Sequence, residues 1–305
     1  MRGTGVAGSS LPGRCIRDTM ETIGKQEIWS FSAGTEKAEV RECLAVRSTS
    51  PHKVGSYLEL AKKVAELQFR NRDHVLMFRG QAREYLNTHR RTTLKPSLLR
   101  PVAGKNPSLA HLNQRFTSLE RAEQLLVEEY REGKFTGLVR LERYQILRWA
   151  ILQHYEVCAT PLLDVTHSLR IAASFASNDD NDEAFVFVLG IPNLSGAVTA
   201  SAEAGLQIVR LSSVCPPSAL RPHIQEGYLL GEYPDMSRIE QKQLYHHFEV
   251  DFGRRLVAKF RFNPNTFWKD DAFQKVGNAA LYPSSKQDPL RRMTEKIKIQ
   301  LPEVR

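Results

Sequence analysis

The sequence has no long hydrophobic run. Its longest apolar stretch lies at residues 185–191, whereas a membrane-spanning helix needs roughly 20 consecutive apolar residues. The Gly- and Ser-rich segment that follows Arg2 also lacks the continuous apolar core of a secretory signal peptide. Without either feature, we predict a cytoplasmic protein that does not interact with membranes.

Cysteine is sparse. Cys15, Cys43, Cys158 and Cys215 are widely separated, and no pair has the CxxC spacing that is typical of a zinc site. We therefore expect reduced, mostly buried thiols rather than a dense disulfide framework, and we predict no bound metal ion.

Acidic residues are outnumbered by basic ones. The chain has 43 Lys and Arg against 34 Asp and Glu, a net charge of +9. Because a basic surface attracts polyanions over long range, the predicted partners are nucleic acid or a small molecule that bears phosphate. The sequence does not identify a protein partner. With 305 residues and 41% hydrophobic content, the chain is long enough to bury a sizeable core.

Helical and strand-like patterns are mixed along the chain, which predicts an α+β fold. Residues 54–69 have apolar positions at helical spacing. The short apolar run at 75–78 is closed by Gly80, which indicates a buried strand with Arg79 at its end. Residues 117–120 and 237–240 have the pattern of helix-capping boxes. Further strands are predicted at 184–189, 207–211 and 256–262.

The centre of the chain predicts a helix, a turn and a second helix. The first helix, at 139–155, is followed by the helix-breaking Thr160-Pro161. Residues 164–166 then form a predicted turn before a helix at 168–176. At the two ends, residues 1–27 are predicted to be a flexible leader and 289–305 a charged tail, because neither has a clear apolar pattern.

Several motifs follow one another in an order that is found in a known family. They are Phe78-Arg79-Gly80-Gln81, Leu94-Lys95-Pro96-Ser97-Leu98-Leu99-Arg100, Gln153-His154-Tyr155, Thr160-Pro161-Leu162-Leu163-Asp164-Val165-Thr166, Ala172-Ala173-Ser174-Phe175-Ala176 and Gln225-Glu226-Gly227-Tyr228. In these motifs the chain resembles the FRG domain. The resemblance assigns residues 28–288 to an FRG domain with an N-terminal extension.

The motif order is also similar, more distantly, to that of ADP-ribosyltransferases that use NAD. This resemblance implies a single mixed domain with an antiparallel or split central sheet flanked by helices. It implies that Arg79 holds phosphate, that Thr166 lies near the ribose, and that Gln225 or Glu226 lies at the reacting carbon. The implied catalytic residues are Arg79, His154, Asp164, Thr166, Gln225 and Glu226. The implied NAD-binding residues are Arg79, Gly80, Gln81, Tyr155, Thr166 and Ser168.

These residues also have purely structural interpretations. An ion pair of Arg79 would anchor the following loop, and Thr166 or Asp164 would cap the helix that begins near 168. His154 would then be a core histidine at a helix end. Gln225 and Glu226 would be ordinary loop residues.

The resemblance predicts an NAD-binding, ADP-ribosyltransferase-like enzyme that cleaves the nicotinamide–ribose bond, as a bacterial toxin or antiphage effector. The acceptor of the transferred group could be protein, nucleic acid or water. A metal-independent nuclease that uses His154 and Asp164 is another hypothesis. A non-catalytic nucleotide- or nucleic-acid-binding module would need only Arg79 and a basic face. The candidate nucleic-acid contacts are the arginine pairs at 90–91, 254–255 and 291–292 and the aromatic residues Tyr245, Phe260 and Trp268.

Overall fold

The strands form one large sheet and one small one. The structure is a computed structural model that describes residues 26–101, 104–178, 181–193, 195–244, 250–270 and 272–302. Most of the predicted leader, residues 1–25, lies outside these ranges. In chain order the strands are β1 (Glu27–Ser30), β2 (Glu39–Glu42), β3 (His52–Lys53), β4 (Val75–Gln81), β5 (Leu163–Thr166), β6 (Ala184–Ile191), β7 (Val198–Ser201), β8 (Leu206–Arg210), β9 (Gly227–Glu232) and β10 (Leu256–Phe262).

Helices of very different lengths connect these strands. They are α1 (Cys43–Ser48), α2 (Tyr57–Arg70), α3 (Leu109–Glu132), α4 (Leu138–Arg143), α5 (Gln145–His154), α6 (Leu169–Ala176), α7 (Leu211–Val214), α8 (Leu220–Ile224), α9 (Pro264–Phe267), α10 (Asn278–Leu281) and α11 (Pro289–Gln300). Short 3₁₀ turns include Ser97–Leu99, Ile239–Leu244 and Phe252–Arg255.

The large sheet is mostly antiparallel. Its strand order is β3-β10-β6-β4-β5-β9-β8-β7, so β4 and β5 lie at its centre. Neighbouring strands run antiparallel except for the parallel pair of β3 and β10. Strands β1 and β2 form a separate antiparallel pair. The predicted α+β class, with a mainly antiparallel sheet and flanking helices, is confirmed.

Buried apolar side chains pack into two clusters. One cluster joins α1, α2 and α6 to β4, β6 and β10. The other joins α3, α5 and α11 to β8 and β9. The chain passes from one cluster to the other at β5, because Leu162 belongs to the second cluster and Leu163 to the first. Residues near β5 are therefore held by both parts of the core.

The predicted charged tail is largely a packed helix. The carboxylate of Asp288 caps α11 by accepting hydrogen bonds from two backbone N–H groups of its first turn. The side chains of Leu290, Met293 and Ile297 are buried against the second cluster. The tail prediction is therefore wrong for residues 289–300. Its apolar residues are few, but their helical spacing places them on one face.

Two other predictions in the first half of the chain need correction. Strand β4 continues to Gln81, so Arg79 lies within the strand rather than at its end. The extension forms because residues 80–81 still pair with β6. Helix α3 begins after Ser108, whose hydroxyl accepts a hydrogen bond from the backbone N–H of His111 at 3.2 Å. The capping pattern at 117–120 therefore lies inside the helix.

Nearer the centre of the chain, the predicted turn at 164–166 is part of β5, which pairs with β9. The predicted helix at 139–155 is divided at Tyr144 into α4 and α5. Strands predicted at 184–189, 207–211 and 256–262 correspond to β6, β8 and β10. The prediction at 164–166 is wrong because local residue types do not reveal a pairing partner more than sixty residues away.

The cysteines of the described ranges are unpaired. Cys43 and Cys215 are buried and Cys158 is half-buried. Burial raises the pKa of both Cys43 and Cys158 to about 12, so these thiols stay protonated and unreactive at neutral pH. Cys15 lies outside the described ranges.

Candidate functional site

A cleft of about 1010 Å³ lies beside the central strands β4 and β5. Its walls come from these strands, the end of α5, the segment from α8 to β9 and the loop that follows β4. Small-molecule sites usually measure about 300–1,000 Å³, so the cleft has room for a dinucleotide. Most of the predicted site residues line it. They are Arg79, Gly80, Gln81, His154, Asp164, Thr166 and Gln225.

Tyr155, Ser168 and Glu226 are absent from the lining of this cleft. Tyr155 is buried, and its hydroxyl donates a hydrogen bond of 2.8 Å to Asp288. Ser168 precedes α6, and its backbone N–H donates to the hydroxyl of Thr166 at 3.0 Å. Glu226 is exposed in the turn before β9, with a left-handed φ of 44°. The motif order alone does not bring these residues to the cleft.

Arg79 combines a structural contact with a free donor. Its Nη1 donates a hydrogen bond of 2.6 Å to the backbone carbonyl of Asp164, which ties β4 to β5. Its buried Nε has no hydrogen-bond partner among the described atoms. Burial and, secondly, the nearby charge of Arg100 lower the pKa of Arg79 to about 10, so the guanidinium remains protonated at neutral pH. Arg79 therefore ties β4 to β5 by a hydrogen bond to a backbone carbonyl, rather than anchoring the following loop by an ion pair, and its charge still lines the cleft.

Gly80 allows a helix to approach the floor of the cleft. A Cβ atom at this position would lie 1.8 Å from the backbone carbonyl oxygen of Ala172 in α6. No side chain fits into that distance, so the glycine is required by the close approach of two backbones. The glycine of the Phe78-Arg79-Gly80-Gln81 motif and the alanines of α6 thus form one packing unit.

Gln153 holds the carboxylate of Asp164. Its Nε2 donates a hydrogen bond of 2.7 Å to Asp164 Oδ2. Its Oε1 accepts hydrogen bonds from the hydroxyls of Ser97 at 2.9 Å and Thr160 at 2.6 Å. An ionised carboxylate only accepts hydrogen bonds, so the NH₂ group of Gln153 must face Asp164, and its carbonyl oxygen faces the two hydroxyls. Sequence reasoning identified Gln153 as part of a motif and missed this role.

His154 lies on the other side of the same carboxylate. Its Nδ1 is 3.8 Å from Asp164 Oδ1. The imidazole is 3% exposed, and burial lowers its pKa despite the neighbouring carboxylate, so His154 is neutral at pH 7. Burial raises the pKa of Asp164, but the contact with His154, the charge of Arg79 and the Gln153 hydrogen bond outweigh it and hold the pKa below its ordinary value. The positive charge of Arg79 and the hydrogen bond from Gln153 both favour the ionised form of this carboxylate.

Thr166 and Gln225 are engaged in contacts within the protein. The Thr166 hydroxyl donates to the backbone carbonyl of Gln225 at 2.9 Å and accepts the N–H of Ser168. The N-cap position of α6 is Ser168 and has no side-chain hydrogen bond, so the interpretation of Thr166 as a helix cap is wrong. The side-chain Nε2 of Gln225 donates to the carbonyl of Leu281 at 2.7 Å. These bonds connect β5, α6 and the turn before β9 on one wall of the cleft.

Positive charge dominates the lining. The basic side chains are Arg79, Arg83, Lys95, Arg100 and Arg221, and the acidic ones are Glu156 and Asp164. Arg221 forms an ion pair of 2.5 Å with Glu156, which leaves Asp164 as the carboxylate without such a pair to a basic side chain in the lining. Lys95 and Arg100 belong to a family motif, so their presence was predictable. Arg221 lies outside every motif, and no pattern in the sequence predicted that it lines the cleft.

Tyr155 contributes to stability rather than to the cleft. We expect Tyr155→Phe to lower the free energy of unfolding by about 1–2 kcal/mol, because a buried hydrogen bond to the charged Asp288 is lost. Urea denaturation measures the loss. Tyr144→Phe is the matched control, since Tyr144 is 46% exposed. A Tyr155→Phe protein as stable as the wild type would contradict this structural role.

Two features are absent from the described ranges, a membrane-spanning helix and a cluster of metal ligands. No helix there is both long and apolar enough to cross a membrane. No group of three or more His, Cys, Asp or Glu side chains there lies close enough together to hold a metal ion. The absence of a metal cofactor stays a prediction.

The fold and the cleft define an α+β protein with a mainly basic cleft beside the central strands. Residues 74–184 match the family model of the FRG domain, and the chain therefore carries an FRG domain, as the motifs predict. The match covers Arg79, Gln153, His154 and Asp164. No curated protein and no solved structure matches the chain. The resemblance to ADP-ribosyltransferases stays a prediction.

Proposed function

We propose that the protein binds NAD in this cleft and cleaves its nicotinamide–ribose bond, as an ADP-ribosyltransferase-like enzyme. One observation carries the proposal: the Arg79 guanidinium and the ionised carboxylate of Asp164 share a single basic cleft. The proposal differs from the sequence prediction in one respect. The catalytic carboxylate is Asp164 rather than Gln225 or Glu226.

The diphosphate of NAD suits the positive end of the cleft. Arg100 is close enough to Arg79 for its charge to lower the pKa of Arg79, in addition to the larger effect of burial. Like charges at such a distance repel each other, and an anion between them removes the repulsion. The guanidinium of Arg79 lines the cleft, and such a group donates charge-assisted hydrogen bonds to phosphate oxygens.

The carboxylate of Asp164 suits the reacting end. When the C1′–N bond of NAD breaks, nicotinamide leaves as a neutral molecule with the electron pair, and positive charge develops on the ribose. A fixed carboxylate stabilises that charge. The leaving group needs no proton, which agrees with a neutral His154. Water or another nucleophile then bonds to C1′ and gives up its proton.

The test is to incubate the purified chain with NAD, alone and with a cell lysate as a source of acceptors, and to measure nicotinamide by chromatography. We expect one nicotinamide for each NAD consumed. NADH is the control, because its uncharged ring is a poor leaving group, and it should compete for binding without being cleaved. Binding of NAD without release would identify a non-catalytic nucleotide-binding module. Neither binding nor release would overturn the proposal.

The nuclease hypothesis has less support from the site. A general acid or base must reach the substrate, and the His154 side chain is only 3% exposed. A cytoplasmic location and a role as toxin or antiphage effector stay predictions from the sequence. They would be natural settings for an enzyme that consumes NAD.

A further inference from the structure

The loop that follows β4 concentrates positive charge beside the cleft. We call residues 82–101 the basic loop. Its basic residues are Arg83, Arg90, Arg91, Lys95 and Arg100. Its one acidic residue, Glu84, forms an ion pair of 2.7 Å with the buried Lys259, so its charge is neutralised. Within the described part of the chain, none of the loop's basic side chains forms an ion pair.

Buried charges hold the basic loop in place. The carboxylate of Asp251 pairs with Arg47 at 2.5 Å and also accepts a hydrogen bond from the hydroxyl of Thr93 at 2.8 Å. At the turn of the loop, Asn87 Oδ1 accepts the backbone N–H of Arg91 at 3.0 Å. A backbone held in one conformation loses little entropy when a ligand binds to it. The basic side chains are therefore presented from a preorganised loop.

The cleft and the basic loop form one continuous surface. Arg83, Lys95 and Arg100 line the cleft, whereas Arg90 and Arg91 lie in the turn between the bridged residues 86 and 92 and are not part of its lining. Tyr85 also lines the cleft, and its side chain is 57% exposed. The basic loop thus adds an exposed aromatic ring to the lining of the cleft.

The other arginine pairs of the sequence offer no comparable surface. Both residues of the pair at 254–255 are buried, at 5% and 1% exposure. Arg291 forms an ion pair with Glu295 at 2.9 Å. Of the aromatic residues suggested as stacking surfaces, Phe260 is fully buried and Tyr245 lies outside the described ranges. Of the three arginine pairs, the pair at 90–91 belongs to the loop that lines the cleft and forms no ion pair in the described part of the chain.

We propose that the basic loop binds single-stranded nucleic acid and presents it to the cleft as the acceptor of the ADP-ribosyl group. The inference rests on the proposed cleavage of NAD. Unpaired positive charges along a loop match the repeated phosphates of a nucleic acid backbone. The exposed ring of Tyr85 provides a stacking surface for a base, and only an unpaired strand has bases free to stack on it.

The transfer needs only NAD and the nucleic acid as reactants. The C1′–N bond of NAD breaks and nicotinamide leaves with the electron pair. A nucleophilic oxygen or nitrogen of the nucleic acid forms the new bond to C1′ and releases its proton. The carboxylates of an acidic protein would also pair with the positive charges of the basic loop. They would not stack on the exposed ring of Tyr85 as a base does, so the ring favours nucleic acid.

The experiment measures fluorescence anisotropy of labelled single-stranded DNA and RNA of about 20 nucleotides, long enough to span several phosphate contacts. Arg100 is assigned to the diphosphate of NAD, so contacts to the other four basic residues of the loop give an expected slope of about −3 for log affinity against log salt. The variant Arg90→Asn with Arg91→Gln should bind about tenfold more weakly, with a slope shallower by about 1 to 1.5. Because neither residue lines the cleft, NAD hydrolysis to ADP-ribose should be retained.

Matched variants separate local contacts from net charge. Arg292→Gln with Lys298→Gln removes the same charge from exposed positions of α11 and should leave affinity unchanged. Tyr85→Ala should weaken oligonucleotide binding about fivefold or more, and Tyr85→Phe should restore it. Transfer of radiolabel from NAD to the bound oligonucleotide is expected with the wild-type protein.

Several results would overturn the inference. One is a wild-type protein that cleaves NAD but does not bind either oligonucleotide, or binds it without transfer of label. Another is an equal loss of affinity in the loop and α11 variants. Polyglutamate that competes as well as the oligonucleotide, with no effect of Tyr85→Ala, would indicate an acidic protein acceptor instead. Failure to release nicotinamide under any condition would contradict the proposed function itself. The nicotinamide assay detects this failure independently of oligonucleotide binding.

Discussion

Replacing Asp164 with asparagine is expected to lower kcat for nicotinamide release about 10³-fold. Asparagine cannot neutralise the positive charge that develops on the ribose, and groups fixed near such charge contribute about 10²–10³-fold to rates. Its amide has nearly the same volume, and its carbonyl oxygen can still accept the hydrogen bond from Gln153. The fold and the KM for NAD should therefore change little. Initial rates at saturating NAD measure the effect.

Glu226→Gln is the matched control for this experiment. It makes the same change from carboxylate to amide at an exposed residue that does not line the cleft. We expect its kcat to stay within about twofold of the wild-type value. The opposite result, with release lost in Glu226→Gln and kept in Asp164→Asn, would restore the assignment made from the motif order. Thermal unfolding of both variants checks that each is folded.

Replacing Gly80 with alanine is expected to lower the free energy of unfolding by more than about 4 kcal/mol. The added Cβ would lie 1.8 Å from the carbonyl oxygen of Ala172, and a backbone atom within a helix cannot rotate away as a side chain would. Relief of the clash requires α6 to move from the sheet, which exposes the buried Ala172, Ala173 and Ala176. Urea denaturation measures the loss, and failure to obtain folded protein is its extreme form.

Gly277→Ala is the control for glycine replacement. A Cβ atom there meets nothing within 4 Å, and the φ of −63° is one that alanine adopts freely. Its free energy of unfolding should stay within about 0.5 kcal/mol of the wild-type value. If the Gly80→Ala protein is equally stable, α6 does not pack on β4 as closely as we describe.

The candidate site shows where prediction from sequence succeeds and where it ends. Arg79, His154 and Asp164 belong to motifs that follow one another in the family order, and all three line the cleft. The motifs did not decide whether Asp164 or Glu226 supplies the catalytic carboxylate. Glu226 lies in a left-handed turn and is exposed, and its neighbour Gln225 is held by Leu281, more than fifty residues later in the chain.

Local patterns are enough to establish the α+β class, the positions of strands such as β6 and β10, and the presence of the FRG motifs. These features depend on residues close together in the chain. The role of each motif depends on partners far away in the chain. Gly80 packs against Ala172, and Gln153 connects Asp164 to Ser97. Tyr155 donates a hydrogen bond to Asp288, which precedes the helix that the sequence predicted to be a tail. Such contacts become visible only when the chain is folded, because packing and buried hydrogen bonds depend on distance in space.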